Sequence, residues 1–493
     1  MSKCSTGSYT SDGEPLLDGD KVVYLNNGDG TFSSRSIELA GELTDDDIDP
    51  RVRCTVSLSL FDLNNDGILD LVSTNSHDPD TAPPWVFDKF HTGAQSVAFF
   101  GDGDGNFSRF SEDLGSWGSF VSAHLDLDGD GLADLIEGTS GKNLATYINH
   151  GDETFSLDSD RGRKTGSGLW MGMALADFDG DLDLDIYATN QGLSPLMWGY
   201  DNLAEVWPGT VSTAPDFSSP GTNTPEAEGV NPFHSMLKND SGSFFLDQDW
   251  SLTAPQLLAG DLFDGLEGRY MNWTAPKDLR RLAWGWGVVP LDVDADGWVD
   301  LAFTGNSCDA PMSIIWDEES GAGPGGLLIN NGGTGFVDVT WESGIANVDD
   351  EGRYVDGRGL VTGDLNNDGY PDLVVVNRTY NPSHTSSLAQ EPGTPKVWLS
   401  RPRDGRWLQV DLQGTNSNRD GIGAMVTITD GQRTWLHGHA LGGQTNSSSE
   451  HLLTVGVADA QTVDVEVVFS GGQTASASDV ATNQRITLTE GDR

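Results

Sequence analysis

The sequence contains little cysteine and few basic residues. Three cysteines, Cys4, Cys54 and Cys308, are spread over 493 residues, and they are too few and too scattered to form a zinc site. Two arrangements remain equally open. Either one disulfide forms and leaves a free thiol, with Cys4 and Cys54 as the pair to test, or all three cysteines are unpaired and buried. The 27 lysines and arginines face 76 aspartates and glutamates, so the net charge is −49. Such a charge argues against nucleic acid and against an anionic membrane as partners.

Long apolar runs and familiar catalytic motifs are also absent. No run of 18 apolar residues exists, so the sequence predicts no membrane span. The first 30 residues show no basic and apolar export segment. We find no G-x-S-x-G, H-E-x-x-H, phosphate-binding loop or dinucleotide fingerprint. That absence counts against conventional hydrolases and metalloproteases more than it counts against a cyclase or isomerase.

Aspartate and glycine are abundant, and many of them lie in a nine-residue unit that occurs five times. The copies are at 62–70, 126–134, 177–185, 292–300 and 364–372. Positions 1, 3, 5 and 9 carry Asp or Asn, and position 6 is Gly in four copies. Carboxylates held this close repel one another, so the unit predicts a bound cation. Ca²⁺ fits best because it accepts six to eight hard oxygen ligands in a tolerant geometry.

The prediction is about five calcium sites, each with ligands from positions 1, 3, 5 and 9 and from the backbone carbonyl of position 7. The predicted ligands are Asp62, Asn64, Asp66, Ile68, Asp70, Asp126, Asp128, Asp130, Leu132, Asp134, Asp177, Asp179, Asp181, Asp183, Asp185, Asp292, Asp294, Asp296, Trp298, Asp300, Asp364, Asn366, Asp368, Tyr370 and Asp372. In the copy at 177–185, Leu182 replaces the glycine. A leucine with positive φ costs roughly 1 kcal/mol or more, so we expect this site to be weak or distorted, although Asp183 adds charge.

An EF-hand is the competing interpretation of these loops. Residues 126–137 satisfy its pattern, with Glu137 at position 12, but the other copies have Ser73, Ala188, Phe303 and Val375 there. Each loop is followed by a short apolar run, such as LDLVST or VDLAFT, where an EF-hand begins its second helix. We therefore predict the order strand, calcium loop, strand.

A second unit alternates with the calcium loops and predicts β-hairpins. Its copies are YLNNGDGTF (24–32), FFGDGDGNF (99–107), YINHGDETF (147–155), MLKNDSGSF (236–244) and LINNGGTGF (328–336), in which apolar residues flank a turn. One loop with its two strands and one hairpin give four strands, the content of a propeller blade. The predicted fold class is all-β, with a propeller over residues 1–400. The hairpin near Tyr24 adds a further blade to the five complete units, which gives six or seven.

Specific phrases carry a resemblance to known families. LWMGMALADFDGDLDLDIYATN (169–190), WGWGVVPLDVDADGWVDLAFTGN (284–306) and GRGLVTGDLNNDGYPDLVVVN (357–377) resemble FG-GAP/VCBS repeats, and more narrowly the cartilage acidic protein 1 family. This resemblance covers most of the chain and implies integrin-α-like calcium loops on a β-propeller. From about residue 401, NSNRDGIGAMVTI, VEVVFSGG and NQRITL resemble an ASPIC/UnbV domain, in which Phe469 stands for the usual Trp. We expect a small β domain over 401–493, by default a packing appendage.

Two insertions interrupt the propeller repeat, at about 77–91 and 191–283. The candidate catalytic residues within them are His77, Asp78, Asp80, His91 and His234, and the candidate ligand-binding residues are Trp198, Trp207, Trp250 and Trp273. As packed loops, the insertions cover a propeller face. As functional loops, they line a ligand pocket, because binding residues concentrate in such segments.

Two functions remain open. The favoured one is a calcium-stabilised propeller that binds a protein, glycan or small-molecule ligand through its loop face. The alternative is a calcium-dependent enzyme, either a cyclase or isomerase or else a hydrolase, with a pocket of Trp, His and Asp side chains. Calcium sites of extracellular modules operate at high calcium, so we expect a secreted, periplasmic or cell-surface protein.

Overall fold

The structure is a computed structural model. It describes residues 22–37, 55–75, 96–111, 114, 118–162, 165, 168–190, 234–246, 251–253, 284–306, 325–350, 355–377, 393–444 and 447–492. All regular elements in these ranges are β-strands, which confirms the predicted all-β class. Among the described residues there is also no helix long and apolar enough to cross a lipid bilayer.

A hairpin and three four-stranded blades make up the first half of the described chain. The hairpin pairs β1 (Val22–Asn26) with β2 (Phe32–Ser36). Blade 1 contains β3 (Thr55–Phe61), β4 (Asp70–Asn75), β5 (Val97–Gly101) and β6 (Phe107–Phe110); blade 2 contains β7 (Ser119–Leu125), β8 (Asp134–Lys142), β9 (Ala145–Asn149) and β10 (Phe155–Asp158); blade 3 contains β11 (Gly168–Ala176), β12 (Asp185–Asn190), β13 (Ser235–Asp240) and β14 (Ser243–Leu246). Pairing of β8 with β11 joins blades 2 and 3 into one sheet.

Two further blades follow. Blade 4 contains β16 (Trp284–Leu291), β17 (Asp300–Asn306), β18 (Gly326–Asn330) and β19 (Gly335–Asp338), with β15 (Ser251–Thr253) parallel to β19; blade 5 contains β20 (Gly357–Gly363), β21 (Asp372–Asn377) and β22 (Lys396–Trp398). The five predicted hairpins are all confirmed as antiparallel strand pairs. So is the order of strand, loop and strand, because a β-strand begins at the ninth residue of every predicted metal loop.

The first strands of successive blades lie side by side. β3 contacts β7, β7 contacts β11, β11 contacts β16, and β16 contacts β20. Apolar cores fill the spaces between blades: one combines residues of blades 1 to 3, a second those of blades 3 and 4, and a third those of blades 4 and 5. Every residue of β4 and β12 is buried, as expected for strands that are covered on both faces. The arrangement fits a β-propeller, and six or seven blades stays a prediction.

The last seven strands form a separate two-sheet unit, which we call the C-terminal domain. One sheet has the order β26 (Leu453–Gly456), β23 (Trp407–Gln413), β29 (Gln484–Thr489); the other has the order β25 (Thr434–Gly438), β24 (Met425–Thr429), β27 (Thr462–Val468), β28 (Thr474–Ala481). Alternate residues of β27 are buried, which is the pattern of a strand with one face on a core. Phe469 is buried in that core.

One segment of the C-terminal domain runs across the first strands of the blades. We call residues 441–444 and 447–450 the bridging segment. The N–H of Gly443 donates to the carbonyl of Ser122 over 2.7 Å, and the Gly443 carbonyl accepts from the N–H of Met173 over 2.8 Å. The hydroxyl of Ser447 donates to the carbonyl of Leu360 over 3.1 Å. The segment therefore joins blades 2, 3 and 5, and the C-terminal domain is part of the propeller's packing.

Candidate metal sites

The five acidic loops lie at one end of the blades, and each is held by its own backbone. In the loop 292–300, Asp292 accepts hydrogen bonds from the N–H of Asp296 at 3.2 Å and of Gly297 at 2.9 Å. Asp300, the ninth residue, accepts from the N–H of Val293 at 2.9 Å and of Asn330 at 2.8 Å. These bonds fix both carboxylates, because three of the four donors are backbone N–H groups of the loop and the fourth is that of Asn330.

The loop 292–300 fits a cation. Carboxylate oxygens of Asp292, Asp294 and Asp300 lie within 4.8 Å of one another. Oδ1 of Asp294 is buried and accepts no hydrogen bond from the described residues, so an acceptor is left over that a metal ion can satisfy. Burial, followed by the charge of Asp296, raises the pKa of Asp292 to about 8. Burial also raises the pKa of Asp300 well above its ordinary value, with Asp292 as the next cause.

Similar electrostatics recur in the other loops. Burial raises the pKa of Asp62, Asp134 and Asp177 to about 6. It raises that of Asp70 to about 7 and that of Asp185 to about 8. A divalent ion stabilises the charged form of such carboxylates and reverses these shifts. Oxygens of Asp126, Asp128 and Asp134 lie within 4.8 Å of one another, as do those of Asp177, Asp179 and Asp181.

The loops 62–70 and 364–372 carry Asn at position 3. The amide of Asn64 donates to Oδ2 of Asp66 over 3.1 Å, and Asn366 donates in the same way to Asp368 over 3.0 Å. With Asn at position 3, each loop offers an amide oxygen in place of one carboxylate, so the negative charge available to a metal ion is smaller. Neutral amide oxygens are accepted calcium ligands, so both loops keep a suitable set of metal-ligand oxygens.

Positive φ angles at position 6 agree with the sequence prediction. Gly67, Gly131, Gly297 and Gly369 have φ between 84° and 91°, and Leu182 has φ of 71°. The expected strained leucine is thus present. The loop 177–185 also lacks a bond that the others have. In four loops Oδ2 of the ninth residue accepts the N–H of the second residue, whereas Oδ2 of Asp185 is buried without a partner among the described residues.

Asparagines of the hairpins form a supporting layer that sequence reasoning missed. The N–H of Asn149 donates to Asp134 over 2.8 Å, and its amide donates to the carbonyls of Ala133 at 3.0 Å and of Leu63 in the preceding loop at 2.6 Å. Asn330 repeats this arrangement with Asp300, Val299 and the preceding loop's Phe178. These amides tie the loops of blades 2 and 4 to the loops before them. The asparagine of the repeated hairpin motif was the available signal.

The C-terminal domain packs directly on the metal loops. Glu450 accepts the N–H of Asp364 over 2.9 Å, and the N–H of Ala458 donates to the carbonyl of Ala295 over 3.1 Å. The Trp407 ring lies against Gly369, and the Trp435 ring lies against Gly297. Between the loops 177–185 and 292–300 and the strand β25 lies a cleft of about 290 Å³; its lining includes Leu182, Trp298, Arg433, Trp435 and His437.

Of the candidate catalytic and ligand-binding residues, the structure describes only His234. His234 is fully buried, with its ring 5.2 Å from that of Phe303 and 6.3 Å from that of Tyr187, so it packs between blades 3 and 4. The remaining candidates lie outside the described residues: His77, Asp78, Asp80, His91, Trp198, Trp207, Trp250 and Trp273, as well as Cys4, Cys54 and Cys308. Their predicted roles stay predictions.

Comparisons with known proteins match three segments of the chain to families. Residues 414–493 match the family described as ASPIC and UnbV. Residues 126–188 match an FG-GAP-like repeat, and residues 357–387 match an FG-GAP repeat. A comparison with curated proteins found no match to this chain. Among solved structures, the chain is similar to the V. cholerae biofilm matrix protein Bap1, at 12% sequence identity and a TM-score of 0.28, over 86% of this chain and 59% of that chain.

These matches fall on the segments that the sequence analysis singled out. The FG-GAP matches include the loops of blades 2, 3 and 5, and the ASPIC and UnbV match includes β24 to β29. The narrower resemblance to the cartilage acidic protein 1 family stays a prediction. The chain is therefore a protein of FG-GAP repeats with an ASPIC and UnbV domain.

Proposed function

We propose that this protein is an extracellular calcium-binding propeller that binds a protein or glycan partner through the end of the blades opposite its metal loops. Calcium is structural in this proposal, and it holds the loop of a blade closed. The observation that carries the metal assignment is that Oδ1 of Asp294, which belongs to one of three converging carboxylates, is buried and accepts no hydrogen bond from the described residues. FG-GAP repeat proteins are often extracellular, where calcium is plentiful enough to fill such sites.

The direction of the strands supports the choice of binding end. The second strand of each blade starts at the ninth residue of a metal loop, so it ends at the far side of the sheet. In blades 1, 3, 4 and 5 that strand ends at Asn75, Asn190, Asn306 and Asn377. The chain segments 76–95, 191–233, 307–324 and 378–392, which lie outside the described residues, follow these ends. The metal-loop end, in contrast, is where the C-terminal domain packs.

An array experiment tests the proposal. Purified full-length protein is applied to glycans and to purified extracellular-matrix proteins in calcium, and again with chelator. One variant replaces residues 195–230 with a short Gly/Ser linker. A matched control alters the exposed turn 430–433 of the C-terminal domain. We expect a calcium-dependent ligand whose binding is lost in the first variant and kept in the control. Absence of any ligand, or equal binding by both variants, would overturn the proposal.

A further inference from the structure

The metal loop of blade 3 has a cation of its own chain beside it. The ammonium of Lys238, on β13, forms ion pairs with Oδ2 of Asp179 and Oδ2 of Asp181, the second at 3.0 Å. Asp179 and Asp181 are positions 3 and 5 of the loop, and both are predicted metal ligands. The lysine side chain is 27% exposed and that of Asp179 is 17% exposed. The pair is thus partly shielded from water and from salt, which strengthens it relative to an open surface pair.

Lys238 replaces an apolar residue of the repeat. It directly precedes Asn239, whose N–H donates to the ninth residue, Asp185, over 2.8 Å. Asn149 and Asn330 make the same bond in blades 2 and 4. The residues before those two asparagines are Ile148 and Ile329. Both isoleucines are half-buried and pack against the apolar cores. Among blades 2, 3 and 4, only blade 3 therefore has a charged residue at this half-buried position.

The carboxylates of this loop are also grouped differently. In the loops 126–134 and 292–300, the group of oxygens within 4.8 Å includes the ninth residue, Asp134 or Asp300. In the loop 177–185 the group consists of positions 1, 3 and 5, without Asp185. The two acids paired with the lysine belong to that group, and the buried Oδ2 of Asp185 stays without a partner among the described residues. Leu182, with φ of 71°, adds a second departure from the glycine-containing loops.

We propose that the ammonium of Lys238 is the resident cation of the loop 177–185, so that this loop closes without a divalent metal ion while the loops of blades 2 and 4 bind one. The inference rests on the proposed calcium function of those other loops. A positive charge held against two ligands repels an incoming Ca²⁺ and occupies the oxygens that the ion needs. A blade closed in this way keeps its loop when calcium is removed.

The test counts bound metal ions. Wild type and Lys238→Ile are titrated with Ca²⁺ by calorimetry, and the ions per chain are counted by native mass spectrometry. Lys238→Ile restores the residue type of blades 2 and 4, and we expect it to bind one more ion than wild type. The matched reverse variants are Ile148→Lys and Ile329→Lys, which place an ammonium beside the other two loops. We expect each of them to bind one ion fewer.

A spectroscopic arm locates the additional ion. The Trp298 ring lies against Gly180 of the loop 177–185, so it is placed to sensitise Tb³⁺ emission from that loop. We expect Lys238→Ile to increase tryptophan-sensitised Tb³⁺ emission relative to wild type. Lys238→Ile with Leu182→Gly removes both departures from the repeat. Leu182→Gly alone is its control: a gain by the double variant that Leu182→Gly alone does not show supports the lysine, and an equal gain by both overturns its role.

The outcomes separate this inference from the proposed function. If wild type binds metal and neither Lys238→Ile nor its Leu182→Gly double variant gains an ion, the inference is wrong and the calcium function stands. If wild type binds an ion at 177–185 in a calcium-grown crystal, the inference is also wrong. If wild type binds no metal at all and Lys238→Ile binds one ion, the role of the lysine is supported and the calcium function of the other loops fails.

Discussion

Gln409 of β23 donates a hydrogen bond from Nε2 to Oδ2 of Asp364, the first residue of the metal loop in blade 5, over 2.8 Å. Gln409 is buried, so this bond is sheltered from water. The same carboxylate oxygen accepts the N–H of Gly369 over 2.8 Å. A residue of the C-terminal domain thus helps to set the geometry of a candidate metal ligand in the propeller, which links the two parts of the chain energetically.

Replacement of Gln409 by Glu should destabilise the protein most when metal is absent. The variant places a second carboxylate beside Asp364 in a buried position, where an uncompensated charge is costly. We expect the free energy of unfolding in chelator to fall by about 2–4 kcal/mol, and calcium to recover part of the loss. Gln413→Glu, at an exposed position of the same strand, is the control. Equal losses in the two variants in denaturant titrations would contradict the coupling.

Chelation should lower the melting temperature of the whole protein. An ion that binds only the folded state stabilises it by about 2.7 kcal/mol when its concentration is 100 times the dissociation constant. Because the unfolding entropy of 493 residues is large, one such site corresponds to a shift of roughly 2–3 °C. We expect scanning calorimetry at a fixed scan rate to show a decrease of this size in chelator. Added Ca²⁺ should reverse it and Mg²⁺ should not. An unchanged melt would count against structural calcium.

A pair of glycine variants should isolate the contact between Trp407 and the loop of blade 5. Gly369 and Gly131 occupy the same loop position, and both have φ of 89°. A methyl group on Gly369 would overlap the Trp407 ring, whereas no described residue lies within 4 Å of a methyl group placed on Gly131. Ala at either site costs about 1–2 kcal/mol in backbone strain. We expect Gly369→Ala to cost an additional 1–3 kcal/mol or so from overpacking.

The comparison of the two alanine variants is made by chemical denaturation in saturating calcium. Since the backbone strain is common to both, their difference reports the packing of Trp407. Indistinguishable midpoints would show that the domain does not press on this loop in solution.

Glu137 should make the stability depend on pH. This carboxyl is buried in β8 and accepts the Ser119 hydroxyl over 2.8 Å. Burial raises its pKa from 4.5 to about 7, and the hydrogen bond from Ser119 partly offsets the rise. The folded state therefore binds a proton that the unfolded chain releases above about pH 4.5. The stabilisation is complete below that pH and is lost as the pH rises through 7.

The Glu137→Gln variant, which does not titrate, should remove this dependence. In saturating calcium, we expect the wild-type free energy of unfolding to fall relative to the variant by roughly 1–3 kcal/mol between pH 5 and pH 8. Glu466→Gln, at an exposed position of β27, serves as the control and should follow the wild type. A constant difference between wild type and Glu137→Gln across this range would show that Glu137 does not carry the proton.

Much of the blade architecture was predictable because it is local. The order of strand, loop and strand around 292–300 and the hairpin at 328–336 each depend on neighbours within a few residues, and the structure confirms both. Leu182 was likewise expected at a strained position, because the requirement for positive φ belongs to the turn itself. The supporting role of Asn149 and Asn330 was missed, since their amides bond to carbonyls of a loop in the preceding blade.

The sequence by itself determined the repeated acidic loops, the hairpins and the change of pattern near residue 401, because each is set by short-range spacing of charge, glycine and apolar side chains. Only the tertiary structure decided that Lys238 lies against Asp179 and Asp181, and that Gln409 reaches Asp364. Lys238 is 59 residues from Asp179, and Gln409 is 45 residues from Asp364. The physical reason is that blade packing, driven by apolar burial between sheets, selects which distant charges meet, and no local pattern records that choice.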